Sequence, residues 1–367
     1  MHRDPDFLQS LWFVLIGVLW IGYFVLEGFD FGVGMLVHGL GRDRVERRLL
    51  IHTIGPVWDG NEVWLLVAGG ATFAAFPGWY ASAFSGFYLA LFLVLAALIV
   101  RGVSFEFWGK VDSERWRAAW EWALAISSGA AALLFGVAWA NFVHGVPMGA
   151  NHVVHASLLD LLHPYALLGG VTTLSLFAAH GAGFLTLRTR DALRDRAQAL
   201  AGRLAVPAVV CTVGFVVWTI VSVATTRVTV LGALAVIVAL AVPLAQRRSA
   251  STGFIASTVT IAVFTAMLLA GLFPNAVAST TSPAFDLSLR AASSSTYTLT
   301  VMSVVTVIFL PVVLAYQFWT YWVFRHRLGR DDYDGALTPV AVLEHRAHSE
   351  RSTPPAGPEV TPPSGVA

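Results

Sequence analysis

About nine stretches of this chain are long and apolar enough to cross a bilayer, and they constrain its fold more than any other feature. Hydrocarbon offers no partner to a free backbone N–H or C=O, so each crossing has to be a helix that satisfies its own backbone. Such a helix needs about 20 mostly apolar residues rising about 1.5 Å apiece. The stretches run over 8–37, 49–76, 79–107, 117–144, 160–187, 204–225, 228–246, 253–273 and 296–325. Several exceed the minimum, which tilt or extension past the hydrocarbon accommodates. Composition agrees: 56% of the 367 residues are hydrophobic and only 12% are charged, too little charge to cover a soluble protein of this size. The expected fold is therefore all-α, a polytopic membrane domain over residues 1–330.

Arginine placement gives that domain a direction. The segments that follow the first, third, fifth and seventh stretches, with the C-terminal tail, carry twenty of the 23 Lys and Arg residues. Arg3, Arg227 and Arg290 are left for the other side. The positive-inside rule then puts the N-terminus outside and the C-terminus in the cytoplasm. One missed helix would scramble this alternation, so the asymmetry also supports nine crossings. The opening "MHRDPDF" has two acids and no cleavage signature follows its apolar run, so the first helix is expected to stay in place. Residues 331–367, ending "STPPAGPEVTPPSGVA", are Pro-rich and apolar-poor and read as a disordered cytoplasmic tail. A weak echo links "GVGML" at Gly32–Leu36 with "GAGFL" at Gly181–Leu185. A parallel repeat of four helices plus a ninth accounts for it, and so does chance.

Ionisable side chains inside hydrocarbon are costly and point to function by default. The first stretch carries "VLEGFDFGVG", which puts Glu27 and Asp30 three residues apart on one helical face. The second opens "IHTIGPVWDGNEVW"; read as one helix, it aligns His52, Asp59 and Glu62 in a single stripe. Asp59 then lies about 10 Å deeper than His52, and Glu62 about 15 Å deeper. Such a ladder leads from the cytoplasmic surface toward the midplane and suits proton handling; a buried pair that only ties helices together is the bland alternative. Pro56 frees the carbonyl of His52, so a local kink is expected there. Arg101, in "VRGVSFEFWGK", reads as an ion-pair partner of Asp30 or Glu27, or as an inner anchor. Glu106 reads as a solvated end charge, and His180 either as functional or as a hydrogen-bonded packing residue.

Other chemistry finds little support. The single cysteine, Cys211, lies in an apolar run and can form no internal disulfide. No zinc spacing, Walker-type loop or nucleic-acid module occurs, so no nucleic-acid partner is expected. His144, His152, His155 and His163 cluster near one outer loop without metal-ligand spacing. Within the bilayer only His52 and His180 remain, and neither has the partner that an axial haem pair needs. No cofactor or metal ligated by this chain is expected.

The ordered signatures "EGFDFGVG", "IGPVWDGNEVWL", "RGVSFEFWGK", "NFVHGVP", "HPYALLGGVTTLSLFAAHGAGFLTLRT" and "LPVVLAYQFWTYWVF" cover most of the chain. They resemble subunit II of the cytochrome bd-type quinol oxidases. That resemblance implies two pseudo-symmetric four-helix bundles plus one peripheral helix in the bacterial cytoplasmic membrane. It also implies a heterodimer with a similarly folded subunit I. The complex oxidises quinol and reduces dioxygen to water, with two b-type haems and one d-type haem on subunit I. The family's proton-supplying aspartate falls on Asp59, its "GFD" aspartate on Asp30 and its "R-G-V" arginine on Arg101. Relatives often carry an aspartate where Glu27 stands and a basic residue where Trp108 stands. From residues alone, a secondary transporter with intramembrane carboxylates competes, as does a scaffold subunit. The transporter would show broken helices in two matching halves, whereas polar density here concentrates in the first three stretches.

Overall fold

The computed structural model describes residues 4–332. Apart from residues 331 and 332, the expected disordered tail lies outside the described residues, as do Arg3, Arg346 and Arg351. Helix α1 (Phe7–Leu40) starts at a capping box in which Gln9 N–H donates to the Asp6 carboxylate at 2.9 Å and Asp6 N–H donates back to Gln9 Oε1 at 2.9 Å. Then come α2 (Arg44–Ile54), α3 (Trp58–Ala75), α4 (Pro77–Gly86), α5 (Tyr88–Phe107) and α6 (Glu114–His144). The second half holds α7 (Pro164–Arg188), α8 (Asp191–Val223), α9 (Thr226–Arg248) and α10 (Ala250–Leu272). A two-stranded antiparallel hairpin, β1 (Asn275–Val277) with β2 (Leu287–Ser288), and a single turn, α11 (Leu289–Ala292), lead into α12 (Thr296–Val323). Among the described residues eight helices are long and apolar enough to span a membrane, and nine if the bent pair α3–α4 counts as one.

Two expected spans divide differently from the sequence reading. The stretch 49–76 is two helices, not one, because the chain breaks at Gly55–Val57. Pro56 has no N–H to offer the His52 carbonyl, and Val57 N–H turns back to Ile54 O at 2.9 Å instead. The stretch 79–107 is also two helices, α4 and α5, and α4 leaves α3 at an angle of 119°. Pro77 causes that corner: the residue before a proline is pushed out of the helical region, and Phe76 sits at φ −133°, ψ 68°.

Helix α1 is central and packs on α3, α6, α7 and α10, while α5 packs on α6, α8 on α7 and α9, and α9 on α10. The core around α1 is aromatic: Tyr23, Phe24, Phe135, Trp139 and Phe177 surround one another with edge-on and tilted rings. The echo segments turn out to meet. A Cβ on Gly32 would strike the Phe177 carbonyl and lie 2.7 Å from Gly181 Cα, so α1 and α7 cross with backbone on backbone. Helix α12 lies against α1 and α3, and only Leu299 along its length is buried.

Candidate functional site

Where α1, α3 and α5 meet, four ionisable side chains converge. The i, i+3 spacing on α1 aims Glu27 and Asp30 inward, and both are fully buried. From α5 comes Arg101, also fully buried, and from α3 comes Glu62, whose side chain is 19% exposed. Arg101 Nη1 pairs with Glu27 Oε1 and, at 3.2 Å, with Glu62 Oε2. The guanidinium also lies over the rings of Phe31 at 4.9 Å, Phe105 at 5.4 Å and Trp58 at 5.9 Å, which stabilise a cation cut off from water. Trp58 stacks on Phe105 with centroids 4.8 Å apart, fixing that wall. Arg101 therefore bridges Glu27 and Glu62; of the two partners read from sequence it takes Glu27, not Asp30.

Asp30 has a different partner. Its Oδ2 accepts a hydrogen bond from Asn61 Nδ2 at 2.6 Å. The other end of that amide, Asn61 Oδ1, accepts from Tyr321 OH at 2.7 Å and from Gln317 Nε2 at 3.1 Å, both on α12. Buried atoms without a hydrogen-bond partner gather here: Arg101 Nε and Nη2, Glu27 Oε2, Asp30 Oδ1 and Tyr23 OH. Three carboxyl groups thus surround one guanidinium, with Glu27 and Glu62 touching it and Asp30 bonded to Asn61 instead.

Asp59 and His52 lie apart from this group. Asp59 is exposed in the first turn of α3, one turn before Glu62, on a face continued by exposed Val63, Leu66 and Val67. Hence Asp59, Glu62 and Glu27 form a gradient from surface to full burial. His52 is half-buried on α2, across the Gly55–Val57 break. The continuous stripe of His52, Asp59 and Glu62 expected for one unbroken helix is therefore replaced by two helical frames. Glu106 is exposed. His180 is fully buried, with Nδ1 2.7 Å from Ser257 Oγ and Nε2 3.1 Å from the Val25 carbonyl, and its ring stacks on Phe254 at 4.5 Å. It ties α7 to α1 and α10.

Near the loop after α6, Asn141 Nδ2 donates to the carbonyls of Val137 and Leu161, both at 2.8 Å, and Asn141 Oδ1 lies 3.2 Å from His163 Nε2. His144 stacks obliquely on His163 with ring centroids 4.6 Å apart. Among the described residues no three His, Cys, Asp or Glu side chains group as a metal site. Sequence reasoning missed Asn61 as the partner of Asp30 and missed Gln317 and Tyr321 altogether. Their signal was available: Gln317 and Tyr321 form a polar i, i+4 pair on one face of an otherwise apolar span.

The family model for cytochrome bd terminal oxidase subunit II matches residues 8–324 of the chain. The cytochrome bd ubiquinol oxidase subunit 2 of Bacillus subtilis strain 168 is 40% identical over 331 residues, spanning 89% of this chain and 98% of that protein. The cytochrome bd-I ubiquinol oxidase subunit 2 of Escherichia coli K12 is 36% identical over 370 residues, spanning 90% and 98%. Among solved structures, the bd oxidase from Geobacillus thermodenitrificans shares the fold with a TM-score of 0.73 over 87% of this chain and 99% of that one, at 15% sequence identity.

Proposed function

The chain belongs to the cytochrome bd terminal oxidase subunit II family, a multi-pass membrane subunit of a quinol:oxygen oxidoreductase, and from that premise we propose that it carries protons from the cytoplasm toward the oxygen-reducing site. In this reading the N-terminus faces outside and the C-terminus the cytoplasm. Helices α1, α3, α5 and α6 form one four-helix bundle, α7–α10 the other, and α12 is peripheral. The partner is subunit I, which holds two b-type haems and one d-type haem; quinol and dioxygen are the substrates.

The observation that carries the reading is the burial gradient from Asp59 through Glu62 to Glu27, closed by Arg101. A proton taken up at the exposed Asp59 carboxylate moves inward by one helical turn to Glu62. Glu62 and Glu27 contact the same guanidinium nitrogen, so a proton entering one carboxyl as another leaves its neighbour changes no net charge beside Arg101. Asp30, held by Asn61, is the remaining acid of the cluster. Both ring nitrogens of the buried His180 are committed to Ser257 and Val25, so this histidine does not fit as a haem ligand.

Asp59→Asn keeps the side-chain shape and removes titration. The assembled complex is expected to keep its yield and haem absorption spectrum while oxygen consumption falls strongly; wild-type turnover would sink the proton role. A scaffold-only subunit predicts that wild-type turnover, so the same assay separates the two readings.

A further inference from the structure

We propose that α12 acts on the buried acid cluster, with Tyr321 and Gln317 as positioning residues that fix the Asn61 amide so that its N–H, not its carbonyl, faces Asp30. An asparagine side chain offers a donor at one end and an acceptor at the other, and rotation by half a turn exchanges them. Here both α12 groups reach Asn61 Oδ1, and Gln317 reaches it through its amide nitrogen, a donor only. With Gln317 Nε2 and Tyr321 OH both donating to it, that end is the acceptor, and Nδ2 is left 2.6 Å from Asp30 Oδ2. A donor aimed at a carboxyl oxygen favours the ionised acid, whereas a carbonyl in the same place would favour the protonated one.

Three features make this more than a packing contact. Asn61 is fully buried, so no water competes for its amide. Asp30 Oδ1 is buried without a hydrogen-bond partner, so among the described residues Asn61 supplies the one hydrogen bond this carboxyl has. Finally, α12 is otherwise so exposed that these donors are not by-products of a tight helix interface. The charged and titratable groups facing Asp30 and Tyr321 are Tyr23 and Glu27 on α1, Glu62 on α3, Arg101 on α5 and Arg188 on α7. None of them reaches the Asn61 amide.

The test uses the assembled oxidase with Tyr321→Phe, Gln317→Met and the double variant, which remove donors at nearly constant volume. The first readout is the infrared carboxyl band that disappears in Asp30→Asn, followed against pH. The second is the pH profile of oxygen consumption. Each single variant keeps one donor on Oδ1 and is expected to titrate like wild type. In the double variant the band is expected to persist about one pH unit higher, a tenfold change in proton affinity or about 1.4 kcal/mol. Asn61→Leu, which removes the donor to Asp30 directly, has to move the band in the same direction, and it serves if the double variant does not assemble. An unmoved band in these variants overturns the proposal, whatever happens to yield. Only the second readout rests on the proton-path reading. A band that moves while the turnover profile stays put supports the positioning by α12 and overturns the place of Asp30 in the path.

Discussion

Replacing Arg101 with methionine removes the cation from a site where three carboxyl groups face it. The arginine and Glu27 are each 0% exposed, so in the variant Glu27 has neither water nor a counter-charge. Removing one partner of such a buried pair costs about 3–5 kcal/mol, and losing the contacts with Phe31, Phe105 and Trp58 adds about 1 kcal/mol more. Even the lower end of that sum, about 4 kcal/mol, shifts an equilibrium about a thousand-fold, enough to be seen as lost complex and not only as a lowered melting temperature. The informative comparison is with Arg101→Met/Glu27→Gln. Neutralising both partners removes the uncompensated charge at Glu27 while Asp30 keeps its hydrogen bond from Asn61, so part of the lost stability should return. The assay is the yield of haem-containing complex from membranes, followed by thermal loss of the complex during size-exclusion chromatography. A single variant as stable as wild type would refute the reasoning, and so would a double variant no better than the single.

Other consequences are open to simpler measurement. Gly32→Ala should lower the melting temperature by an amount equivalent to about 1–3 kcal/mol or more, because the new methyl meets the α7 backbone; Gly39→Ala, helical and with no atom within 4 Å, should not lower it. Asn141→Leu frees the Leu161 carbonyl and the His163 ring, so limited proteolysis between residues 145 and 163 should speed up while the haem spectrum holds. Asp112, between α5 and α6, has its carboxyl held below the usual range by the hydrogen bond from Arg117 and by that residue's charge. Its contribution is therefore present above about pH 4 and lost as pH falls through the lowered value. Protection from hydrogen exchange over residues 108–117, taken relative to the intrinsic rate at each pH, should fall only below about pH 4 in wild type and show no such step in Asp112→Asn; a step near pH 6 would contradict the assignment.

Much of the fold was legible because membrane spans announce themselves by length and hydropathy alone. What was not legible came from local backbone chemistry. Pro56 and Pro77 were visible as letters, but that one would split a span and the other turn it by 119° depends on which N–H and φ each removes. Glu27, Asp30, Glu62 and Arg101 stood out as ionisable groups in apolar stretches. The Arg101–Glu27 pair was one of the two read from the sequence, but the share of Glu62 in it was not, since the break before Trp58 resets the rotation of α3, turning Glu62 toward Arg101 and Asp59 toward the surface. The Asn61 contacts with Gln317 and Tyr321 join residues 256 and 260 positions apart, a distance over which periodicity carries no information.

Helix α12 is gripped at two places. Near its start, Trp12 Nε1 donates to the Leu299 carbonyl and to Ser303 Oγ, both at 3.1 Å; near its end, Gln317 and Tyr321 hold Asn61. From Leu299 to Gln317 a helix rises about 27 Å, close to the roughly 30 Å of a bilayer's hydrocarbon. A free helix answers a thinner or thicker membrane by changing its tilt. One held at both places cannot do so alone, so hydrophobic mismatch is passed to the pins. One of those pins is the amide beside Asp30, which makes lipid thickness a mechanical load on the acid cluster.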